Sequence, residues 1–166
     1  YYYSGFDSAL VVTIDAQGDV LSHTAYQVNC GLPWKMIVRG GGNESLGAFY
    51  AAITEALGFK PNRHEGKIVG LAAMGNHNNI LDRITDHNRL VKILKNDLHF
   101  KRKGYYEMIR IIKELLDNGC SREDIAAYGQ YLLEDLVIKH IKKLCEISPN
   151  RNIALAGGVF SNVKLN

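Results

Sequence analysis

Ile153-Ala154-Leu155-Ala156-Gly157-Gly158-Val159-Phe160-Ser161-Asn162 is a short apolar run that ends in two glycines and restarts with helix-compatible residues. It reads as a buried strand, a tight turn and then a helix N-terminus. Gly157 and Gly158 lack Cβ, so the backbone can take φ > 0 there and a ligand can come close. A helix starting at this point offers unpaired N–H groups and a positive dipole end to an anion. Two readings stand side by side: a phosphate or nucleotide contact, and a turn that needs glycine for geometry alone. A short glycine motif does not separate them without its structural context.

The elements around this turn follow from local signals. Ser121 reads as an N-cap, with Glu123 and Asp124 in the first turn of a long helix that runs to about Ile147. Ile125, Gly129, Leu132, Leu136, Val137, Ile141 and Leu144 form its apolar stripe, and Pro149 and Asn150 end it. Tyr106 to Leu116 is a shorter amphipathic helix stopped near Gly119, and a further helix is expected around Asp86 to Leu94. Glu44 to Leu57 is helical by the recurrence of Leu46, Phe49, Tyr50, Ile53 and Leu57, with Gly58 as its stop and Pro61 beyond. Phe49 and Tyr50 read as core rather than as a ligand stack. Gly40-Gly41-Gly42-Asn43 reads as a break in the chain.

The N-terminal part reads as a β-hairpin. Ser8 to Asp15 is rich in β-branched residues, Ala16-Gln17-Gly18-Asp19 is a turn with glycine at a left-handed position, and Val20, Ser22, Thr24, Tyr26 and Val28 alternate onto one face. Asp15 falls at the end of the first strand, where a carboxylate can meet a ligand or metal. Bonding its own turn backbone is the commoner role for such an aspartate. His64-Glu65-Gly66-Lys67-Ile68-Val69-Gly70-Leu71-Ala72-Ala73-Met74-Gly75 alternates small and apolar residues. On a helix Gly66 and Gly70 share one bare face, fit for a close neighbour or a planar ligand. Lys67 could meet a phosphate or stand in solvent. His64-Glu65 lacks metal-ligand spacing, and His77, His87 and His99 are scattered.

The totals bound the class. The 166 residues are one domain's worth and can bury a core. A formal net charge of +3 suits an anionic ligand but gives little support for nucleic acid, and Lys101-Arg102-Lys103 reads as a solvated loop. Three widely spaced cysteines with no CxxC exclude a disulfide framework or zinc ribbon and point to a reducing, cytoplasmic setting. No apolar run approaches the length of a membrane span. The start on Tyr1 and the end on Asn166 read as cut ends of a larger protein.

Three stretches, Val12-Thr13-Ile14-Asp15-Ala16-Gln17-Gly18-Asp19, Glu65 to Gly75, and Leu155 to Asn166, resemble the nodulation-type and antibiotic-type O-carbamoyltransferases in order and spacing. Ser45-Leu46-Gly47-Ala48-Phe49-Tyr50 with Leu57-Gly58-Phe59 is also similar to that family. The resemblance implies an α/β fragment of a sugar-kinase/actin-like ATPase (ribonuclease H-like) domain spanning 1–166, the middle part of that domain. It implies an enzyme that makes carbamoyl-adenylate from carbamoyl phosphate and ATP and passes the carbamoyl group to a hydroxyl of a sugar or natural product. It implies a divalent metal, iron in this family, with Asp15 as a ligand. Gly157, Gly158 and Asn162 would line the nucleotide site, with Gly66, Lys67 and Gly70 near it. The family's metal-binding histidine pair would precede Tyr1 and a further metal aspartate would follow Asn166, so the fragment alone is expected to be inactive.

This chain departs from the family at Asp15-Ala16-Gln17-Gly18-Asp19, usually Asp-Gly-x-Gly-Glu, and at Ala73-Met74, usually Pro-Tyr; neither change removes a proposed ligand. Two alternatives stay open: a nucleotide-binding or interaction module without transfer chemistry, and the tRNA threonylcarbamoyl-transfer branch that shares the fold. The Glu65-Gly66-Lys67 pattern argues against the latter. No membrane or nucleic-acid partner is expected.

Overall fold

The computed structural model describes residues 1–41, 45–83, 85 and 102–166. It is an α/β structure built on a mixed four-stranded sheet. Strands β1 (Ser8–Gly18), β2 (Leu21–Asn29), β3 (Lys35–Gly41) and β4 (Ile153–Ala156) lie in the order β3-β2-β1-β4. The first three pair antiparallel, whereas β4 runs parallel to β1, Leu10 to Thr13 matching Ile153 to Ala156. Two asparagines hold this closure. The Asn150 amide donates to the carbonyls of Ala9 (2.9 Å) and Val28 (3.3 Å), and that of Asn152 donates to Ser8 (3.1 Å).

The expected hairpin is present, with its turn displaced. The residues with positive φ are Asp19 (49°) and Val20 (69°), not Gly18. Two successive residues in that region suit the right-handed twist of a two-residue hairpin connection. Nor does β2 alternate cleanly: His23 and Ala25 are buried along with Ser22, Thr24 and Val28. β2 is an inner strand, and both its faces are covered. On one face Ala9, Val11 and Val28 meet Tyr1, Tyr26 and Ala154. On the other, Leu10, Val12 and Ile14 join the main core.

β3 was not expected from the sequence, because Gly40-Gly41 reads as a break. Both glycines belong to the strand. A Cβ at Gly40 would fall 1.8 Å from the His23 ring, so glycine is needed there to admit a neighbour's imidazole rather than to turn the chain. Gly42 and Asn43 lie outside the described residues.

Among the described residues five α-helices accompany the sheet: α1 (Leu46–Ala56), α2 (Glu65–Ala72), α3 (Asn78–Leu81), α4 (Arg102–Asp117) and α5 (Arg122–Ile147). Phe49 and Ile53 of α1, Met108 and Ile111 of α4, and Ile125 and Leu132 of α5 share the core with β1. The predicted stops and the Ser121 cap hold, but α4 begins at Arg102 rather than Tyr106, so Arg102 and Lys103 are helical and not loop, and α1 begins at Leu46 rather than Glu44. Gly58 and Gly119 both stand at φ 80° after α1 and α4, and Ser121 Oγ accepts the Asp124 N–H at 3.0 Å. The helix expected at Asp86 to Leu94 falls outside the described residues, as do His87, His99, Lys101 and the side chains of Arg102 and Lys103.

The segment after β4 corrects one expectation. Gly158–Ser161 is a 3-10 turn and not the start of an α-helix. Asn162, extended in backbone, accepts the N–H groups of Lys164 (3.1 Å) and Leu165 (3.2 Å) on its Oδ1, the bonding pattern of a helix N-cap. The helix-dipole argument for an anion at Gly157-Gly158 therefore has only a four-residue 3-10 turn to rest on.

Asp124 does more than occupy a helix first turn. Its carboxylate accepts the Asn76 N–H (2.8 Å) and the Asn79 amide (2.9 Å), docking the α2–α3 connection onto α5. These bonds, the Asn76 N–H first, hold its carboxyl below the usual carboxylate range. A lowered folded pKa contributes stability that is complete above the unfolded value, about 3.9, and is lost as pH falls through the folded one. Asp124→Asn is expected to lower the urea midpoint at pH 7, with variant and wild type converging below about pH 4.

Candidate functional site

Three backbones converge on Asp15. β1 runs on to Gly18, so Asp15 is not at the strand's end; it stands where the β1–β2 ladder loses register between Ile14 and Gly18. Such an irregularity bends a strand and re-aims its side chains. A Cβ on Gly47 of α1 would lie 2.4 Å from the Ala16 nitrogen, and one on Gly158 would lie 3.0 Å from Asp15 Oδ1. Gly157 has φ 100°, and a Cβ there would lie 2.3 Å from the Ile14 carbonyl oxygen. Gly157 thus needs glycine for both its conformation and its close approach. Ser45, fully buried, caps α1 by accepting the Ala48 N–H (3.0 Å) and donates to the Asp15 carbonyl (2.9 Å).

Beside Asp15 opens a cleft of about 380 Å³. Its walls come from β1 (Asp15, Ala16), α1 (Gly47, Tyr50), the entry and face of α2 (Asn62, Glu65, Gly66, Val69), α5 (Leu133) and the 3-10 turn (Gly158, Val159, Ser161, Asn162). The size falls in the range of small-molecule sites. Asp15 Oδ1 accepts the Ala16 N–H at 2.7 Å, so the turn-type bond and exposure to the cleft coexist in one side chain. Among the described lining residues the charged side chains are Asp15 and Glu65, both acidic. No three or more His, Cys, Asp or Glu side chains come together as a metal cage among the described residues. What the site offers a cation at Asp15 is one hard carboxylate, which fits a share of a divalent-metal sphere.

Beneath the cleft lies a buried polar network that the sequence reading missed. Gln130 of α5 is wholly inaccessible. Its Oε1 accepts the Tyr50 hydroxyl (2.7 Å) and the Asn162 amide (2.9 Å). Its Nε2 donates to Asn162 Oδ1 (3.1 Å) and to Glu134 (2.8 Å). Tyr50 is core, as expected, yet its hydroxyl is part of the floor, and burial pushes that phenol well above its ordinary pKa. The available signal for Gln130 was a neutral polar residue inside an apolar stripe.

Of the residues singled out in the sequence, Asp15, Gly66, Gly158 and Asn162 line the cleft, and Gly157 lies behind it against β1. Lys67 instead lies over the Phe59 ring at 5.8 Å, with Arg122 on the same ring at 4.8 Å. Gly70 is not in the lining. Among the described residues nothing packs on the bare face of α2, since a Cβ at Gly66 or Gly70 would have nothing within 4 Å. Glu65, Asn62, Ser161, Val69 and Leu133 are cleft residues that sequence pattern did not assign.

The family model described as carbamoyltransferase N-terminus matches residues 1–166. The chain belongs to that family. It is 37% identical over 169 residues to the uncharacterized protein MJ1051 of Methanocaldococcus jannaschii, covering 98% of this chain and 32% of that protein. It is 27% identical over 176 residues to the nodulation protein NolNO of Sinorhizobium fredii, covering 98% of this chain and 24% of that one. Similarity to the nodulation protein NolO of Bradyrhizobium diazoefficiens is 28% over 165 residues, 98% of this chain and 30% of the relative. This carbamoyltransferase N-terminal chain thus spans about a third or less of the curated relatives it matches. No helix among its described residues is long and apolar enough to cross a membrane.

Two substitutions test the architecture of the site. Gly157→Ala should destabilise by on the order of 3 kcal/mol, from the left-handed φ and the contact with Ile14. Gln130→Leu should cost about 2–4 kcal/mol, because the Tyr50 hydroxyl and the Asn162 amide lose buried partners. Urea unfolding reads both; a loss under 0.5 kcal/mol in either would show that the corresponding contact is dispensable (about the scatter of surface changes).

Proposed function

We propose that this chain is part of the sugar-kinase/actin-like ATPase domain of an ATP-dependent O-carbamoyltransferase. The whole protein would make carbamoyl-adenylate from carbamoyl phosphate and ATP and pass the carbamoyl group to a hydroxyl of a sugar or natural product. The family membership supports the reaction class. The observation that carries the site is the apposition of Gly158 and Asp15 at the cleft, where a side chain on Gly158 would fill the space a ligand atom needs.

The chain's own residues would bind and orient. Gly158 and Gly66 leave backbone open to the nucleotide, Gly157 sets the turn, and Asn162 is held rigid by Gln130 at the cleft floor. Positioning of this kind is the main protein contribution to transfer at phosphorus. A divalent cation, iron by the family resemblance, would take Asp15 as one oxygen ligand and supply the positive charge and Lewis acidity that let phosphate oxygens approach a carboxylate wall. Lys67 and Gly70 have a weaker claim, because they stand away from the cleft lining.

The test uses the full-length protein with iron supplied. Pyrophosphate release from ATP is expected to rise on adding carbamoyl phosphate. Asp15→Asn should reduce that increment on the order of 100-fold with little change in melting temperature. Pyrophosphate release indifferent to carbamoyl phosphate would sink the transferase reading and leave a nucleotide-binding module. An increment untouched by Asp15→Asn would remove Asp15 from the site.

A further inference from the structure

The amide pair on the cleft floor works in one sense only. Asn162 Nδ2 donates to Gln130 Oε1 (2.9 Å), and Gln130 Nε2 donates to Asn162 Oδ1 (3.1 Å). A primary amide has a donor end and an acceptor end of nearly the same shape. Turning one amide over sets oxygen against oxygen and nitrogen against nitrogen; turning both over reverses every bond to the surroundings. Each end of the pair therefore needs an anchor of fixed polarity. On the turn side the anchors are backbone, because the N–H groups of Lys164 and Leu165 both donate to Asn162 Oδ1.

On the α5 side the anchor is Glu134. It stands one helical turn after Gln130, and its Oε1 accepts a second bond from Gln130 Nε2 at 2.8 Å. An ionised carboxylate is an acceptor only, so it takes the amide nitrogen and repels the amide oxygen. Gln130 Oε1 is thereby turned to the Tyr50 hydroxyl, which donates to it at 2.7 Å. Burial first, and the Glu134 charge in addition, raise the Tyr50 phenol and keep that proton in place. Lys164 Nζ lies 3.8 Å from the same Glu134 oxygen with half of its side chain exposed, an ion pair of little weight.

We propose that Glu134 is a positioning residue: acting through Gln130, it holds Asn162 and the turn that carries Gly158 in the arrangement that binds nucleotide. This rests on the nucleotide reading above and deepens it, adding a residue that lies outside the cleft lining. The acceptor bond to Gln130 is what acts. A neutral acceptor at position 134 preserves the arrangement, because the Asn162 end is already fixed by backbone; an apolar residue does not.

The experiment is titration calorimetry with ATP, at fixed divalent-metal concentration, on the full-length protein and on Glu134→Leu and Glu134→Gln, with Glu134→Leu repeated in an Asn162→Ala background. Glu134→Leu is expected to weaken ATP binding about tenfold, an ordinary coupling between bonded neighbours. Glu134→Gln keeps an oxygen for Gln130 Nε2 and removes the charge that Lys164 faces; it should stay within about threefold of wild type. In the Asn162→Ala background the Glu134→Leu change should cost less than about twofold, because its route to the site is gone. A merely structural role would cost the same in both backgrounds and overturns the proposal, as does unchanged ATP binding by Glu134→Leu. Glu134→Gln is a test by itself should the leucine variant fail to fold: a tenfold loss there, with the acceptor kept, overturns the proposal. Carbamoyl phosphate plays no part in these titrations, so failure of the transferase reading leaves them intact. Absence of ATP binding by the wild type overturns both the nucleotide reading and the role of Glu134.

Discussion

The site depends on one steric constraint: the backbones of β1, α1 and the β4 turn meet around Asp15 at distances that exclude side chains. Gly47, Gly157 and Gly158 supply the missing Cβ atoms. Ser45 adds direction, because its hydroxyl both caps α1 and binds the Asp15 carbonyl. The start of α1 is therefore referenced to Asp15 through a polar bond and a backbone contact. With those approaches made, Asp15 faces a cleft whose floor is the Gln130–Asn162 amide pair.

That floor ties the three walls together. Tyr50 comes from α1, Gln130 and Glu134 from α5, and Asn162 from the turn after β4. Each buried donor finds an acceptor, which is what makes a polar core rigid rather than costly. Asn162 also follows the 3-10 turn as a cap, its Oδ1 accepting the N–H groups of Lys164 and Leu165. The residue that resemblance nominates for ligand binding is thus already engaged in holding the site's shape. In the proposed site its contribution to a ligand would come through fixed orientation.

Features with local causes were legible in the sequence. The cap at Ser121, the stops at Gly58 and Gly119 and the stripe of α5 depend on neighbours within a few positions. Asp15, Gly66, Gly158 and Asn162 were found by motif and meet in one cleft. What failed had distant causes. Gly40 looks like a breaker because the reason for it, the His23 ring, sits on another strand. Gly158 opens a 3-10 turn rather than the expected helix, and Asn162, held by Gln130 of α5, takes the bonding of a cap after it. Lys67, which by sequence could meet a phosphate or stand in solvent, lies over the Phe59 ring and outside the cleft lining. Gln130 carries no motif, and only the packed structure shows it as the hub of the floor.

The parallel pairing of β4 with β1 has a consequence for the order of assembly. The Asn150 bond to Ala9 spans 141 residues, and β4 itself follows α5 in the chain. The β1–β2 hairpin and the capped helices can form from nearby contacts, but the Gly157-Gly158 wall can join Asp15 only after nearly the whole segment has been made. Contacts of such long sequence separation close late, after the entropy of the intervening loop has been overcome. During synthesis on the ribosome, the cleft is thus among the last features of this segment to form, and the β1 edge that β4 will cover stays open to other strands until then.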